Sequence, residues 1–587
     1  MPTQVTKLQN LQSLSTFIVG KQPNGLQIKE LKGLPCLQGK LSILNLQNIV
    51  DSRDALEANL KNREKIEELV LEWNCDVEDS QTVKDVLGML QPSTNLKRLT
   101  IKHYGGTSFP VWVGNLSFIN ITFLCVRDCK NCVLLPPFGE LPSLNELSIG
   151  GMGLLHTIGR EFYCSKLKSP SFQPFLSLKI LIFQNMPIWE EWIQFDCEGA
   201  KFPFPQLKSL SLHDCPMLKG DMPDNLPSLT NVSISNCKQL EAKSTTLQWI
   251  TSIQELNIER GEQGLLRAFD DLSLDSLESL TIENCDSLQS LPRMTMGNHC
   301  LQMLSLKDIP SIMSFPIDGL PTSLQRLEIE NCEKLEFLPQ ESWQNYPSLE
   351  DLRIDNSCPS LKSFPLGCFP KLRRLRIDRC HNLEAFTHVG GYALPLESFW
   401  VQSCDKLRSM SEVHVDSLAN LQCFWLSSVS KLESLPEGGL PSNLRSFTIG
   451  GYNELSSIPI QDWGFQRLTS LSLFAVMNNG NESILHNLLK NQLLPTSLVC
   501  IDIECVSNLK LLEGKGLQHL TSLEELSIYG CENLESLPED ALPSSLLLLA
   551  ISCCPKLEER YDYERGKHLS KIAHIPTIRI NYEYYDP

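Results

Sequence analysis

Apolar residues recur along the chain at constant offsets. Leu277–Pro292 is LESLTIENCDSLQSLP, Leu324–Pro339 is LQRLEIENCEKLEFLP and Leu523–Pro538 is LEELSIYGCENLESLP, which share the pattern L-x-x-L-x-[IL]-x-x-C-x-x-L-x-x-L-P. About 21 copies can be aligned, most of them starting 22 to 25 residues apart. The weaker copies begin at Leu41, Ile66, Leu96, Ile121, Leu144, Leu178, Leu207, Leu229, Ile253, Leu301, Leu349, Leu372, Leu396, Leu421, Leu444, Leu468, Leu498 and Leu546.

The spacing within each copy predicts one short β-strand per repeat. Residues two apart on a strand share a face, so the L-x-[IL] step directs both apolar side chains into the core. One strand cannot bury that face alone, whereas stacked repeats form a parallel sheet with strands about 4.8 Å apart. A repeat length in the twenties with this pattern is typical of leucine-rich repeats. We therefore predict an α/β solenoid, a leucine-rich-repeat horseshoe or arc with a concave parallel β-sheet and an irregular or short helical convex side.

The pattern extends over nearly the whole chain. We predict one repeat array over residues 1–574, followed by a cap strand and tail over residues 575–587, where Ile575, Ile578 and Ile580 repeat the strand spacing. Long repeats are expected to carry helices at 51–63, with Ala55, Leu56 and Leu60 on the inner side, and at 82–90, with Val83, Val86, Leu87 and Leu90 inward. Insertions are predicted at 150–176 and 478–494, the second with a helical run at Ile484–Leu489.

Many of the 22 cysteines follow the repeat. Nine of them stand three residues after the last core residue of a strand, a position that this repeat type gives to Asn or Cys pointing inward. A small buried thiol fits there and can donate weakly to backbone carbonyls. We expect reduced core cysteines, hence a reducing compartment. The nine are Cys129, Cys215, Cys237, Cys285, Cys332, Cys380, Cys404, Cys531 and Cys554.

Charge and hydropathy narrow the partner classes. The formal net charge is −18, which disfavours nucleic acid and anionic membranes because both need clustered basic surfaces. No run of about 18 uncharged apolar residues predicts a membrane span, and the first residues lack the apolar core of a secretory signal. We expect an intracellular, cytoplasmic or nucleocytoplasmic protein whose partners are proteins.

Motifs for catalysis or cofactors are missing from the sequence. There is no G-x-S-x-G elbow and no H-E-x-x-H, and the carboxylates recur with the repeat. Cys129-x-x-Cys132 lacks the second pair that a structural zinc site needs. We expect no enzyme, no catalytic residues, no cofactor and no metal.

The outward strand positions form the predicted binding surface. When adjacent repeats are aligned, Glu350 faces Arg373 and Asp351 faces Arg374, while Arg376, Trp400 and Trp425 form a ladder with possible cation–π contact. Trp and Arg are enriched at interface hot spots, but the same residues could serve only as cross-strand pairs that stabilise the sheet. Both interpretations stay open from sequence. The candidate partner-binding residues are Glu350, Asp351, Arg353, Arg373, Arg374, Arg376, Arg379, Trp400 and Trp425.

Three stretches resemble a known family. They are LQNLQSLSTFIVGK with IKELKGLPCLQGKLSILNLQNIVDSRDALEANLKNREKIEELVLEWN, then GGTSFPVWVGNLSFINITFLCVRDCKNCVLLPPFGELPSL, and the ending CCPKLEERYDYERGKHLSKIAHIPTIRI. Together with the repeats between them, they are similar to the leucine-rich-repeat domain of coiled-coil-class plant NLR (NB-ARC-LRR) disease resistance proteins. The resemblance covers essentially the whole chain.

The resemblance implies intracellular perception of pathogen effectors, directly or through a guarded host protein. It also implies that the repeats restrain an NB-ARC switch domain. This sequence has no G-x-x-x-x-G-K-[ST] phosphate loop, so we expect a repeat domain that lacks the nucleotide-binding domain, and ATP or ADP binding is not carried over. The alternative is a general interaction scaffold, such as a substrate adaptor of a ubiquitin ligase.

Overall fold

The structure is a computed structural model of the chain. It describes all residues except 1–7, 22–24, 75–80, 166–171, 196–201, 221, 224–225, 241–251, 262–264, 266–273, 292–298, 316–318, 339–345, 389–392, 452–458, 479, 481, 563–567, 582 and 586–587. The chain divides into two compact units, one of Met1–Leu288 with Pro292–Leu301 and one of Gln289–Leu291 with Gln302–Pro587.

Parallel strands, one from each repeat, form the sheet of the first unit. Successive strands pair in parallel along it, except for the short β7 and β9, which pair with each other outside it. The strands are β1 Thr16–Ile18, β2 Gly39–Leu44, β3 Ile66–Glu72, β4 Arg98–Lys102, β5 Phe123–Arg127, β6 Glu146–Gly150, β7 Thr157–Ile158, β8 Ile180–Gln184, β9 Glu191–Trp192, β10 Ser209–His213, β11 Asn231–Ser235, β12 Glu255–Glu259 and β13 Ser279–Glu283.

The second unit repeats this arrangement. Its sheet strands pair in parallel in chain order until β28, which is antiparallel to β27, while β17 and β19 pair separately. The strands are β14 Met303–Lys307, β15 Arg326–Glu330, β16 Asp351–Asp355, β17 Ser363–Pro365, β18 Arg374–Asp378, β19 Ala385–Thr387, β20 Ser398–Gln402, β21 Cys423–Ser427, β22 Ser446–Gly450, β23 Leu473–Met477, β24 Cys500–Glu504, β25 Glu525–Tyr529, β26 Leu548–Ser552, β27 Thr577–Ile580 and β28 Glu583–Tyr585.

The predicted inward positions are confirmed. Leu280 and Ile282 are fully buried in β13, and the same alternation of buried and partly exposed residues runs through most sheet strands. Apart from one shift between β2 and β3 at Gly39 and Lys40, neighbouring strands pair in register, so equivalent residues of adjacent repeats lie side by side. The leucine-rich-repeat fold class is therefore correct, with parallel strands and returning segments that are irregular or form short helices.

A single residue in the left-handed region follows most sheet strands. These residues are mainly Asn, Asp or Gly, which tolerate a positive φ better than other residues. Asn236, Asn331 and Asn356 are examples, with φ of 52°, 53° and 43°. Their side chains also bind along the stack, since Asn331 donates to Asp308 Oδ1 at 2.7 Å and Asn356 donates to Asn331 Oδ1 at 3.2 Å. This turn sends the chain from the sheet into the returning segment.

The nine repeat cysteines lie just after that turn, as predicted. All nine are at most 3% exposed and carry free thiols. Several thiols donate to a carbonyl of the preceding repeat, for example Cys332 to Leu306 at 3.8 Å and Cys554 to Ile528 at 3.7 Å. The thiols thus connect successive repeats weakly without a covalent bond.

The returning segments contain short helices. The α-helices are α1 Ser52–Glu57, α2 Gln81–Met89, α3 Glu482–Lys490, α4 Gly514–His519, α5 Pro555–Tyr561 and α6 Leu569–Ile572. Single 3-10 turns occupy Ile28–Gly33, Leu46–Asn48, Leu60–Asn62, Phe138–Glu140, Arg160–Phe162, Leu366–Cys368, Val415–Leu418, Ile460–Trp463, Phe465–Arg467 and Glu539–Ala541. The single array over 1–574 and the cap over 575–587 stay predictions.

Three sequence predictions are wrong in detail. Within the predicted helix 51–63, α1 ends at Glu57, and Leu56 is 58% exposed because Ala55 and Ala58 take the inner positions. In the copy assigned to Leu41, the buried strand residues are Leu41 and Ile43, so that copy begins three residues earlier.

The copy assigned to Leu468 is displaced in the opposite direction. The buried strand residues there are Phe474 and Val476, so the copy begins at Leu471. Its Leu468–Leu471 spacing imitates the first step of the repeat, and both leucines are buried. The left-handed Asn478 decides the register, because it marks the end of the strand.

Candidate partner-binding surface

The predicted binding residues lie in the second unit, on β16, β18, β20 and β21 and next to them. In the central outward row, Arg353 pairs in register with Arg376, Arg376 with Trp400 and Trp400 with Trp425. The ladder predicted from aligned repeats is therefore present. We call these four residues the Arg–Trp row.

The two tryptophans form a close stack. Their ring centroids are 3.7 Å apart and the ring planes differ by 7°, while the Arg376 guanidinium carbon lies 4.7 Å from the centre of the Trp400 ring. Trp400 Nε1 donates to Gln402 Oε1 at 3.2 Å. Trp425 Nε1 is buried and has no hydrogen-bond partner among the described residues. The stack covers one face of each indole while leaving both side chains half-buried.

On the core side of β20 and β21, beneath the stack, a row of phenylalanines begins, and it continues onto β22 and β23. Phe399 and Phe424 are stacked with centroids 5.4 Å apart, and Phe447 follows Phe424 at 5.8 Å and Phe474 follows Phe447 at 6.0 Å. All four are at most 1% exposed. Packed aromatic rings on the buried side hold these strands in position and so fix the geometry of the Arg–Trp row.

Buried carboxylates hold the arginines in place. The Asp355 side chain is 4% exposed and accepts from Arg379 Nε at 2.7 Å, while Arg353 lies 3.6 Å from its other oxygen and 3.4 Å from Glu330. The hydrogen bond that Arg379 donates to Asp355 raises the pKa of Arg379. The guanidinium groups are thus fixed on the sheet, which lowers the entropy that a partner must remove on binding.

Asp378 is the least satisfied of these carboxylates. Its side chain is 9% exposed, and its Oδ2 lies 3.8 Å from Arg376 Nη2. Burial, followed by the nearby Asp355 charge, raises the pKa of Asp378. Asp378 Oδ1, Arg353 Nε and Arg376 Nε are buried without a partner in the described part of the chain. Such groups cost about 1–3 kcal/mol each, so the surface is not optimised for stability alone.

One of the two flanking charge pairs differs from the prediction. Asp351 does pair with Arg374, with Nε and Oδ2 2.9 Å apart, and it also contacts Arg326 at 3.3 Å. Arg373, however, pairs with Glu397 at 3.1 Å. Glu350 meets Arg373 only through its backbone carbonyl, which accepts the Arg373 amide at 2.9 Å. A flexible arginine reaches acids on both sides, and the backbone register does not decide between them.

The possible metal pair does not form a site. Cys129 and Cys132 are both fully buried, and their thiols donate to the carbonyls of Arg127 and Leu134 at 3.5 Å and 3.1 Å. Burial raises the pKa of Cys132 to about 12, so its metal-binding thiolate form is disfavoured. Across the described ranges, no group of three or more His, Cys, Asp or Glu is placed to hold a metal ion.

Comparison with known proteins agrees with the sequence resemblance. Residues 28–152 match the family model described as R13L1/DRL21 LRRs. The chain is 29% identical to a putative disease resistance protein of Arabidopsis thaliana, At3g14460, over 98% of its own length and 53% of that protein. The chain is a leucine-rich-repeat relative of plant disease resistance proteins. It is also 35% identical, over 52% of its length, to an Arabidopsis thaliana putative disease resistance RPP13-like protein 1.

Further relatives share the same description. The putative disease resistance protein RGA1 of Solanum bulbocastanum is 33% identical over 43% of this chain and 24% of its own length. The chain thus spans about half the length of the first relative and less than a third of the other two. A chain in the crystal structure of the mouse RP105/MD-1 complex has a TM-score of 0.45 and 14% identity, covering 98% of this chain and 90% of that one.

Among the residues that the structure describes, no helix has the length and apolar character required to cross a bilayer. Leucine-rich-repeat sheets present extended surfaces on which other proteins bind.

Proposed function

We propose that this chain is the protein-recognition region of a plant intracellular immune receptor. In this proposal, the outward sheet face around the Arg–Trp row binds a pathogen effector or a guarded host protein in the cytoplasm. The relatives named as disease resistance proteins support the biological setting. The observation that carries the proposal is the stacked, half-buried pair of Trp400 and Trp425 beside Arg376.

Binding accounts for this stack better than sheet stability does. Cross-strand pairs contribute only about 0.2–1 kcal/mol each, and smaller side chains would supply that without exposing large indole rings to water. Trp and Arg in a preorganised patch are the residues that dominate binding energy at protein interfaces. The partly unsatisfied polar atoms of Arg353, Arg376 and Asp378 also favour a role other than structural pairing.

We further propose that the repeats restrain the nucleotide-binding switch domain of a longer receptor. Support comes from the family resemblance and from the relatives, of which this chain spans about half or less. Restraint requires a second protein surface, which the first unit offers where the exposed apolar residues Val111 and Leu134 line one groove. Exposed apolar patches of this kind mark interaction sites in many proteins.

The test is capture of three partner classes with the tagged chain: candidate effectors, host proteins and a separately expressed nucleotide-binding domain. We expect Trp400→Ala to lower effector or host-protein capture by at least about tenfold, a typical hot-spot loss. Capture of the nucleotide-binding domain should be unaffected by Trp400→Ala and lowered by Val111→Asp. Unfolding stability should change by less than about 1 kcal/mol for Trp400→Ala. Normal capture by that variant would show that the stack is only structural.

A further inference from the structure

The central outward row continues past Trp425 and changes character. Thr448 is the registered neighbour of Trp425, Ala475 of Thr448 and Asp502 of Ala475. Thr448 and Ala475 are small and only 2% and 5% exposed, so they lie below the longer side chains on either side. The outward face therefore has a low floor two strands wide, bordered by an indole ring on one side and a carboxylate on the other.

In the part of the chain that the structure describes, the carboxylates beyond this floor have no basic partner. Asp502, Glu504 and Glu525 lie on adjacent strands, and none of them forms an ion pair with Lys, Arg or His among the described residues. Their side-chain contacts are to Cys500, 3.5 Å from Asp502 Oδ1, and to the Ser527 hydroxyl, which donates to Glu525 Oε1 at 3.2 Å. We call these three residues the acidic cluster. It is the charged end of the floor.

Burial makes this excess negative charge unfavourable. It raises the pKa of Asp502 and of Glu504, and the Asp502 charge adds to the rise for Glu504. Asp351 and Asp355, on the same sheet face, are each bound by arginines. A positively charged group of a partner would therefore stabilise the ionised carboxylates of the acidic cluster.

The indole border has a second ring face. One face of Trp425 lies on Trp400, whose other face is covered by Arg376. Because the rings stack in the order of the strands, the second face of Trp425 is directed along the row towards Thr448. A guanidinium or ammonium group over an indole face is attracted by the negative potential of the ring face. Both borders of the floor therefore favour cations.

We propose that this floor binds an extended basic segment of the protein partner, with one cationic side chain over Trp425 and a second at the acidic cluster. The proposal rests on the proposed partner-binding role of this sheet face. Three strand steps separate Trp425 from Asp502, roughly 14 Å. Allowing about 4 Å for each of the two contacts leaves about 6 Å, close to the roughly 7 Å between residues i and i+2 in an extended chain. Arginine fits best, since its planar group stacks on indole and binds carboxylates bidentately.

The experiment uses a fluorescein-labelled peptide with two arginines separated by one serine, titrated with the full chain at low ionic strength and followed by fluorescence anisotropy. We expect Asp502→Asn with Glu525→Gln to weaken peptide binding by about tenfold or more, and Trp425→Leu to weaken it several-fold. Glu433→Gln is the matched control, because it removes an exposed carboxylate of the returning segment and should leave binding unchanged. A peptide with citrulline in place of arginine should not bind.

Two results would overturn the proposal: no binding of the arginine peptide to the unmodified chain, or equal binding to the double variant and to Glu433→Gln. Thermal unfolding midpoints of the variants must match that of the parent chain, so that misfolding is excluded. The outcome is separable from the proposed function. If Trp400-dependent capture of an effector or host protein persists while the peptide fails, only the basic-segment proposal is wrong. If the peptide binds as described and no such capture occurs, the receptor role is wrong instead.

Discussion

At the scale of single residues, position within the repeat decides whether a cysteine is reactive. Cys332 and Cys404 are two of the buried repeat cysteines. Burial raises the pKa of Cys332 to about 11 and that of Cys404 to about 12. Cys423 and Cys553 are exposed, on a strand face and on the left-handed turn. Because the thiolate is the nucleophile, the same residue type should behave in two different ways in one chain.

Alkylation with iodoacetamide at neutral pH checks this difference. We expect Cys423 and Cys553 to be modified in the folded chain, whereas Cys332 and Cys404 remain unmodified until urea unfolds it, since they are both buried and protonated. Peptide mass spectrometry of samples taken over time gives the rate at each site. Equal modification rates of Cys332 and Cys423 without denaturant would contradict the burial of the repeat cysteines.

At the scale of elements, one carboxylate joins the helices near the C-terminal end. The Glu539 side chain is 6% exposed and lies 2.9 Å from Arg560 Nη2, 3.0 Å from Lys571 Nζ and 3.0 Å from the Tyr561 hydroxyl. It thereby connects the 3-10 turn at Glu539–Ala541 with α5 and α6. Burial opposes ionisation, but the hydrogen bonds from Lys571, Arg560 and Tyr561 prevail and lower the pKa of Glu539 to about 2.

This network predicts acid sensitivity at the C-terminal end. A carboxyl whose pKa falls from 4.5 to about 2 on folding stabilises the folded state above pH 4.5, and this contribution is lost as the pH falls towards 2. Glu539→Gln should lower stability by about 2 kcal/mol at neutral pH, allowing for screening at the exposed Lys571. The loss should vanish near pH 2. Hydrogen exchange of Pro555–Tyr561 and Leu569–Ile580 against pH measures it, with Glu532→Gln as an exposed control.

A pH-independent difference between Glu539→Gln and the parent chain would contradict the assigned pKa. It would show instead that the amide disturbs packing. The same measurement tests whether α5 and α6 depend on this carboxylate, because their amides should lose protection together.

At the scale of the whole molecule, the net charge favours basic partners over polyanions. The chain carries −18, and the basic residues of the Arg–Trp surface are compensated by neighbouring acids. A polyanion gains affinity when clustered Lys and Arg displace its condensed counterions into solution, and basic residues that are already paired with acids do this poorly. The acidic cluster of Asp502, Glu504 and Glu525 adds repulsion. The charge distribution is suited to basic protein segments rather than to phosphate backbones.

Chromatography provides the corresponding check. The chain should pass through a heparin column at physiological ionic strength and bind an anion exchanger, because heparin presents the same kind of anion density as nucleic acid. Bovine serum albumin and lysozyme serve as acidic and basic reference proteins. Retention on heparin that persists at physiological salt would contradict this prediction. It would show that the chain has a surface of basic residues that are not paired with acids.

The sequence by itself determined the repeat, its strand positions and the row that Arg376, Trp400 and Trp425 form. Those features follow from periodicity, because a parallel stack places equivalent residues of adjacent repeats side by side. Continuing the same alignment past Trp425 would also have brought Thr448, Ala475 and Asp502 into view. Where two apolar spacings overlapped, at Leu41 and Leu468, periodicity alone selected the wrong start.

Only the tertiary structure decided which charges are paired. Arg373 forms an ion pair with Glu397 rather than with Glu350. Asp502, Glu504 and Glu525, by contrast, have no basic neighbour in the described part of the chain. A long side chain can reach several partners at similar distances. Which ion pair forms depends on the packing around that side chain rather than on spacing along the chain. The small exposure of Asp355 and Asp378 likewise arises from neighbouring strands. Backbone register follows from the repeat, while side-chain pairing is settled by three-dimensional contacts.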